Sequence, residues 1–127
     1  MILLAEDDED DKEFIRLAFN KASSRHKIHI ADNGQQALDY LFLLSEEDLP
    51  CLIVLDLNMP VLDGLQTLEA LNSKPKFKDI PKVIFTTSDS DDDKRRCLSK
   101  GAADYVVKPH NMTEIVRTVQ NMLSYCD

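Results

Sequence analysis

Residues 52–60 read LIVLDLNMP. Four aliphatic residues run without a polar break and meet a single carboxylate, Asp56. A strand with one wet face would alternate apolar and polar residues; an unbroken run fits a strand buried on both faces, as in a parallel sheet. An acid at the carboxyl end of such a strand stands where open parallel α/β sheets bind their ligands.

Similar runs recur along the chain: ILLA (2–5), IHI (28–30), KVIFTT (82–87) and DYVV (104–107), with LIVLDL (52–57) in the middle. Helical spacing fills the gaps. Phe14, Leu17, Ala18 and Ala22 form one set, and Ala37, Leu38, Leu41 and Phe42 a second. Leu65, Leu68 and Leu71 follow, and Ile115, Val119 and Met122 close the chain. Segment 91–100, DDDKRRCLSK, is only weakly amphipathic, but its acids precede its bases, as a helix dipole prefers. Gly101 is its expected C-cap, and Asn111 or Thr113 the N-cap of the last helix. Five β-α repeats in sequence predict an α/β fold, a parallel five-stranded sheet with right-handed crossovers and helices on both faces. One domain over residues 1–127 accounts for the whole sequence.

Composition narrows the function. Of 127 residues, 43% are hydrophobic and 30% charged, a globular balance. The net charge of −8 disfavours nucleic-acid backbones and anionic membrane surfaces. No apolar run reaches the roughly 20 residues of a membrane span, and no signal peptide is visible. Cys51, Cys97 and Cys126 show no metal spacing and read as reduced thiols of a cytoplasmic protein.

The strand ends carry a constellation. The first ends in Glu6, Asp7 and Asp8, within the acidic run EDDEDD (6–11); the third ends in Asp56, Leu57 and Asn58. The fourth ends in Thr86, Thr87 and Ser88, the fifth in Lys108 and Pro109. Burial and like charge would drive Asp56 beside Asp7 towards protonation, whereas a divalent cation keeps both ionised. Oxygen ligands of this kind suit Mg²⁺. With a lysine and a hydroxyl nearby, the aspartate is a candidate phosphoryl acceptor. Within the acidic run, Glu9, Asp10 and Asp11 fit the positive end of the first helix, one of the aspartates capping it, and Asp8 the rim.

The motifs AEDD (5–8), LDLNMPVLDG (55–64), FTTS (85–88) and YVVKP (105–109) resemble those of response regulator receiver domains, the chemotaxis-regulator-like fold of two-component signalling. Asp56 to Thr86 is 30 residues and Thr86 to Lys108 is 22, spacings that fit the family. The resemblance spans the chain. It implies a doubly wound, flavodoxin-like (βα)5 three-layer sandwich with strand order 2-1-3-4-5. It implies Asp56 as phosphoacceptor, and Glu6, Asp7, Asp56 and the Asn58 backbone carbonyl as Mg²⁺ site. Thr86 and Lys108 become the groups that contact the phosphoryl, Tyr105 the aromatic switch that packs inward as Thr86 moves, and Lys108–Pro109 a commonly cis bond. The implied partners are a sensor histidine kinase or phosphotransfer protein, and a target that reads the face made by the fourth helix, fifth strand and fifth helix. A stand-alone receiver without an output domain, monomeric or weakly dimeric and not a turnover enzyme, is expected. The segment SEEDLPC (45–51) and the TTS after strand four resemble small receivers that pair with phytochrome-type kinases.

Two other classes fit less well. A haloacid-dehalogenase-type phosphatase wants an acid two residues after its nucleophile, where Asn58 stands. A flavodoxin-type module wants a hydroxyl- and glycine-rich phosphate loop after strand one, where EDDEDD would repel the phosphate.

Overall fold

The computed structural model describes residues 1–23 and 25–127. Five strands, β1 (Ile2–Ala5), β2 (Ile28–Ala31), β3 (Leu52–Leu55), β4 (Lys82–Thr86) and β5 (Asp104–Val107), alternate with five helices. The helices are α1 (Glu9–Ala22), α2 (Gly34–Leu43), α3 (Gly64–Asn72), α4 (Asp91–Ser99) and α5 (Met112–Met122). Short 3₁₀ turns lie at Glu46–Asp48 and Leu123–Cys126. All strand pairs are parallel, in the order β2-β1-β3-β4-β5. The doubly wound, flavodoxin-like fold expected from the alternation is therefore the one observed.

Alternation along the strands divides the core. Leu3, Ala5, Ile53, Leu55 and Ile84 face α2, α3 and α4; Ile2, Leu4, Leu52, Val54, Val83 and Phe85 face α1 and α5. Because both faces are covered, the central strands need no polar positions, which explains the unbroken aliphatic run at 52–55. Helix faces differ from the periodic reading in places. Phe14 and Leu17 of α1 and Phe42 of α2 are exposed, while Ile15, Ala18 and Phe19 pack inward. The apolar stripe of α1 is wider than the surface it covers, so one edge stays wet. Helix α4 buries only Cys97.

Polar side chains close each helix start. Asp8, rather than Asp10 or Asp11, caps α1 by accepting the Asp11 N–H at 2.9 Å. The helix already begins at Glu9, so the extended residue before it takes the cap. Asn111 caps α5; the C-cap of α4 is Lys100 rather than Gly101, which stands one residue beyond it at φ +100° and turns the chain away.

Two expectations are corrected. Cys51 and Cys126 are joined by a disulfide, and only Cys97 is a free, buried thiol. The pairing spans 75 residues, so no local spacing betrays it; the turn after α5 brings Cys126 back to the start of β3. The Lys108–Pro109 bond is trans, since no cis peptide occurs among the described residues. Trans is the slightly favoured X-Pro form where no contact selects the other.

Lys82 is a buried exception on β4. Its ammonium donates to Asn72 Oδ1 and the Phe77 carbonyl, both at 2.6 Å, and to the Lys78 carbonyl at 3.0 Å. Three acceptors match the three protons, so the lysine fastens the end of α3 and the following turn to the sheet. Burial nevertheless pulls its pKa down to about 8, from 10.5. Between those values the unfolded chain binds more protons than the native one, so Lys82 makes stability rise with pH across that window. The contribution is on the order of 3 kcal/mol, at about 1.4 kcal/mol per unit. In urea unfolding, Lys82→Met should be less stable than wild type by about 1–3 kcal/mol at pH 7, since three carbonyl-type oxygens lose their donor. The gap should widen towards pH 10; a gap that stays constant or narrows refutes the assignment.

Candidate functional site

Backbone pairing assembles the site. The Asp56 N–H donates to the Ala5 carbonyl and the Glu6 N–H to the Ala31 carbonyl, both at 3.0 Å. These bonds extend the ladders one residue past the strands and set the side chains of Glu6 and Asp56 next to each other. The Lys108 N–H donates to the Thr86 carbonyl at 2.7 Å, which fixes the β5 end against β4. Gly64, at the start of α3, lies against the backbone just beyond β3. A Cβ there would stand 2.3 Å from the Asp56 carbonyl oxygen, so no side chain fits without moving the Asp56 backbone. The preceding loop contains Val61 at φ +67°, an unfavourable conformation for a β-branched residue.

Carboxylate oxygens of Glu6, Asp7 and Asp56 all lie within 4.8 Å of one another. Glu6 and Asp56 are buried, and Asp7 is exposed. Lys108, also buried, bonds Glu6, reaches Asp11 Oδ2 at 2.8 Å and Asp56 Oδ2 at 3.3 Å. Burial pushes the Glu6 carboxyl up to about 7; the Lys108 ammonium opposes this and Asp56 adds to it. For Lys108, burial works downward, but the carboxylates of Asp11, Glu6 and Asp56 outweigh it and raise its pKa above the ordinary lysine value. Three carboxylates thus hold one ammonium, and Asp7 adds a fourth negative charge beside them. The surplus negative charge and the hard oxygen donors suit a divalent cation.

Thr86 is fully buried at the β4 end, and its Oγ1 accepts the Ser88 N–H at 3.3 Å. Tyr105 is buried and donates its hydroxyl to the Ser88 carbonyl at 2.9 Å, so it is already packed inward. Burial is the main reason that its pKa rises. The Ser88 hydroxyl in turn donates to Asp93 of α4 at 2.8 Å.

The structure brings together Glu6, Asp7, Asp56 and Lys108, with Thr86 one strand over and Tyr105 linked through Ser88. Asn58 lies exposed in the loop two residues beyond Asp56. Sequence reasoning missed two participants. Asp11, a dipole partner by its place in the first turn of α1, also holds Lys108, a contact 97 residues apart that no local pattern marks. Ser88 was noted only as part of a strand end, but it connects Thr86, Tyr105 and α4.

Among the described residues, no helix is long and apolar enough to cross a membrane. The response regulator receiver domain family matches residues 2–120. A probable methanogenesis regulatory protein, FilR2, of Methanothrix harundinacea (strain 6Ac) is 35% identical over 127 residues, covering 98% of this chain and 82% of that protein. The phosphorylated cyanobacterial phytochrome response regulator RcpA superposes with a TM-score of 0.87 at 30% identity, covering 98% of this chain and 91% of that one. The Mn²⁺-bound form of response regulator Rcp1 gives 0.84 at 32%, covering 98% and 92%. Receiver domains bind a divalent cation and take phosphoryl groups from histidine kinases. The chain belongs to the response regulator receiver domain family.

Proposed function

We propose that Asp56 takes a phosphoryl group from the phosphohistidine of a sensor histidine kinase or phosphotransfer protein, with Mg²⁺ held by Glu6, Asp7, Asp56 and the Asn58 carbonyl. The observation that carries this reading is the convergence of three carboxylates at the adjacent ends of β1 and β3 with one buried lysine from the end of β5. An Asp56 carboxylate oxygen attacks phosphorus, the P–N bond breaks, and its electron pair returns to the imidazole, which picks up a proton. Held by these oxygens, a divalent cation would offset part of the charge on the transferring group. Lys108 donates to a phosphoryl oxygen while Asp11 keeps its ammonium in place. Thr86 turns its hydroxyl from the Ser88 N–H towards the same group.

Movement of Thr86 disturbs Ser88, and Ser88 holds both Tyr105 and Asp93. The switch therefore acts on the face of α4, β5 and α5, which binds a downstream protein in one state more tightly than in the other. Likeness to RcpA supports a phytochrome-type kinase as the upstream partner, acting in the cytoplasm. The domain is an acceptor that promotes its own phosphorylation and dephosphorylation, not a turnover enzyme.

Incubation with acetyl phosphate and Mg²⁺, followed by intact-mass measurement, tests the acceptor; transfer from purified phytochrome-type kinases tests the partner. Lys108→Ala removes a charged donor from the transferring phosphoryl group. Its phosphorylation rate should fall about 10²–10³-fold, as for loss of one preorganised donor to a developing anion. An unchanged rate removes Lys108 from the reaction.

A further inference from the structure

The pole opposite the acidic site holds a second cluster. Cys51 precedes β3 and Cys126 ends the turn after α5, so both lie where the strands begin. The ligand-capable atoms of His26, Cys51 and Cys126 lie within 4.8 Å of one another. His26 Nε2 is buried and, among the described residues, is the one buried side-chain nitrogen or oxygen with no hydrogen-bond partner. An Asp127 carboxylate oxygen stands 3.5 Å from it without hydrogen-bond alignment. A buried imidazole nitrogen left unpaired is uncommon and calls for an explanation. Two sulfurs, one imidazole nitrogen and one carboxylate oxygen make a four-donor set that zinc accepts.

We propose that the reduced protein binds one zinc ion through Cys51, Cys126 and His26 Nε2, with Asp127 as the fourth ligand, and that the disulfide is the metal-free alternative. A dithiol reductant supplies two electrons and two protons, breaks the S–S bond and leaves two thiols. Zinc then displaces both thiol protons as the two sulfurs separate, and the unpaired His26 nitrogen gains its partner. A reducing cytoplasm keeps such thiols open, so the zinc form prevails there and oxidation ejects the ion. The same two cysteines tie the end of α5 to the start of β3 in either form. The proposal is independent of phosphoryl transfer, because none of its ligands belongs to the acidic site.

The test uses the full chain, reduced and then freed of reductant under anaerobic conditions, with Zn²⁺ counted by elemental analysis and Co²⁺ followed by its thiolate charge-transfer absorption. The reduced protein should hold one equivalent of zinc and show the cobalt–thiolate band, and the oxidised protein should do neither. Excess Mg²⁺ in every sample occupies the acidic site, so the zinc counted is that held at the cysteine pole. Cys51→Ser should abolish the cobalt band. His26→Gln, which leaves both cysteines in place, should weaken zinc by at least about 100-fold, beyond the 10–100-fold typical of losing an outer partner. Circular dichroism of each variant confirms that it is folded. No zinc on the reduced wild type, or equal zinc on folded His26→Gln, overturns the site.

Discussion

Asp56→Asn is expected to leave no phosphoryl adduct after treatment with acetyl phosphate and Mg²⁺, where the wild-type chain gains one. The amide preserves shape but removes the charged nucleophile, and no neighbouring carboxylate is placed to replace it. Glu6 is buried and engaged by Lys108, and its carboxyl is pushed towards the protonated form. Asp7 is exposed at the rim, and Asp11 is taken up by Lys108. The variant should stay folded, since replacing one of four crowded carboxylates lessens like-charge repulsion. Intact mass with peptide mapping decides the matter: an adduct of equal yield on Asp56→Asn places the acceptor elsewhere.

Opening the Cys51–Cys126 bond should have the largest effect on stability. Cross-linking restricts the unfolded chain more as the closed loop lengthens, by about 3 kcal/mol for 15 residues and about 4.7 for 100. With the two cysteines 75 residues apart, the loop falls near the upper figure, so reduction should lower the unfolding free energy by about 4 kcal/mol. That is a large part of the roughly 5–15 kcal/mol that holds a domain together. Urea unfolding of oxidised and reduced protein, with a chelator in both samples, measures the difference. Coincident curves would mean that the bond constrains nothing. Without the chelator, added zinc should restore part of the loss.

The β-α alternation and the strand-end acids were legible because each follows from a local pattern. A short aliphatic run without polar breaks fits a doubly covered strand, and both β1 (2–5) and the more exposed β5 (104–107) have the boundaries read from sequence. The acidic site was legible for the same reason: strand ends in a parallel sheet converge whatever the loops do. What escaped needed three-dimensional neighbours. Asp11 and Lys108 are 97 residues apart, and Cys51 and Cys126 meet only because α5 runs back across the sheet. The exposed Phe14 and Leu17 show the converse failure, in which helical spacing marks an apolar stripe but not how much of it is covered.

Helix α4 rests on the sheet through one buried side chain, Cys97, whereas α1 and α3 each bury four residues. Lifting it exposes little apolar surface, so its amides should exchange with solvent through a local opening that costs far less than global unfolding. The helix that touches Ser88 is thus also the one most cheaply detached. A small change at Thr86 can redistribute its open and closed populations without disturbing the other four.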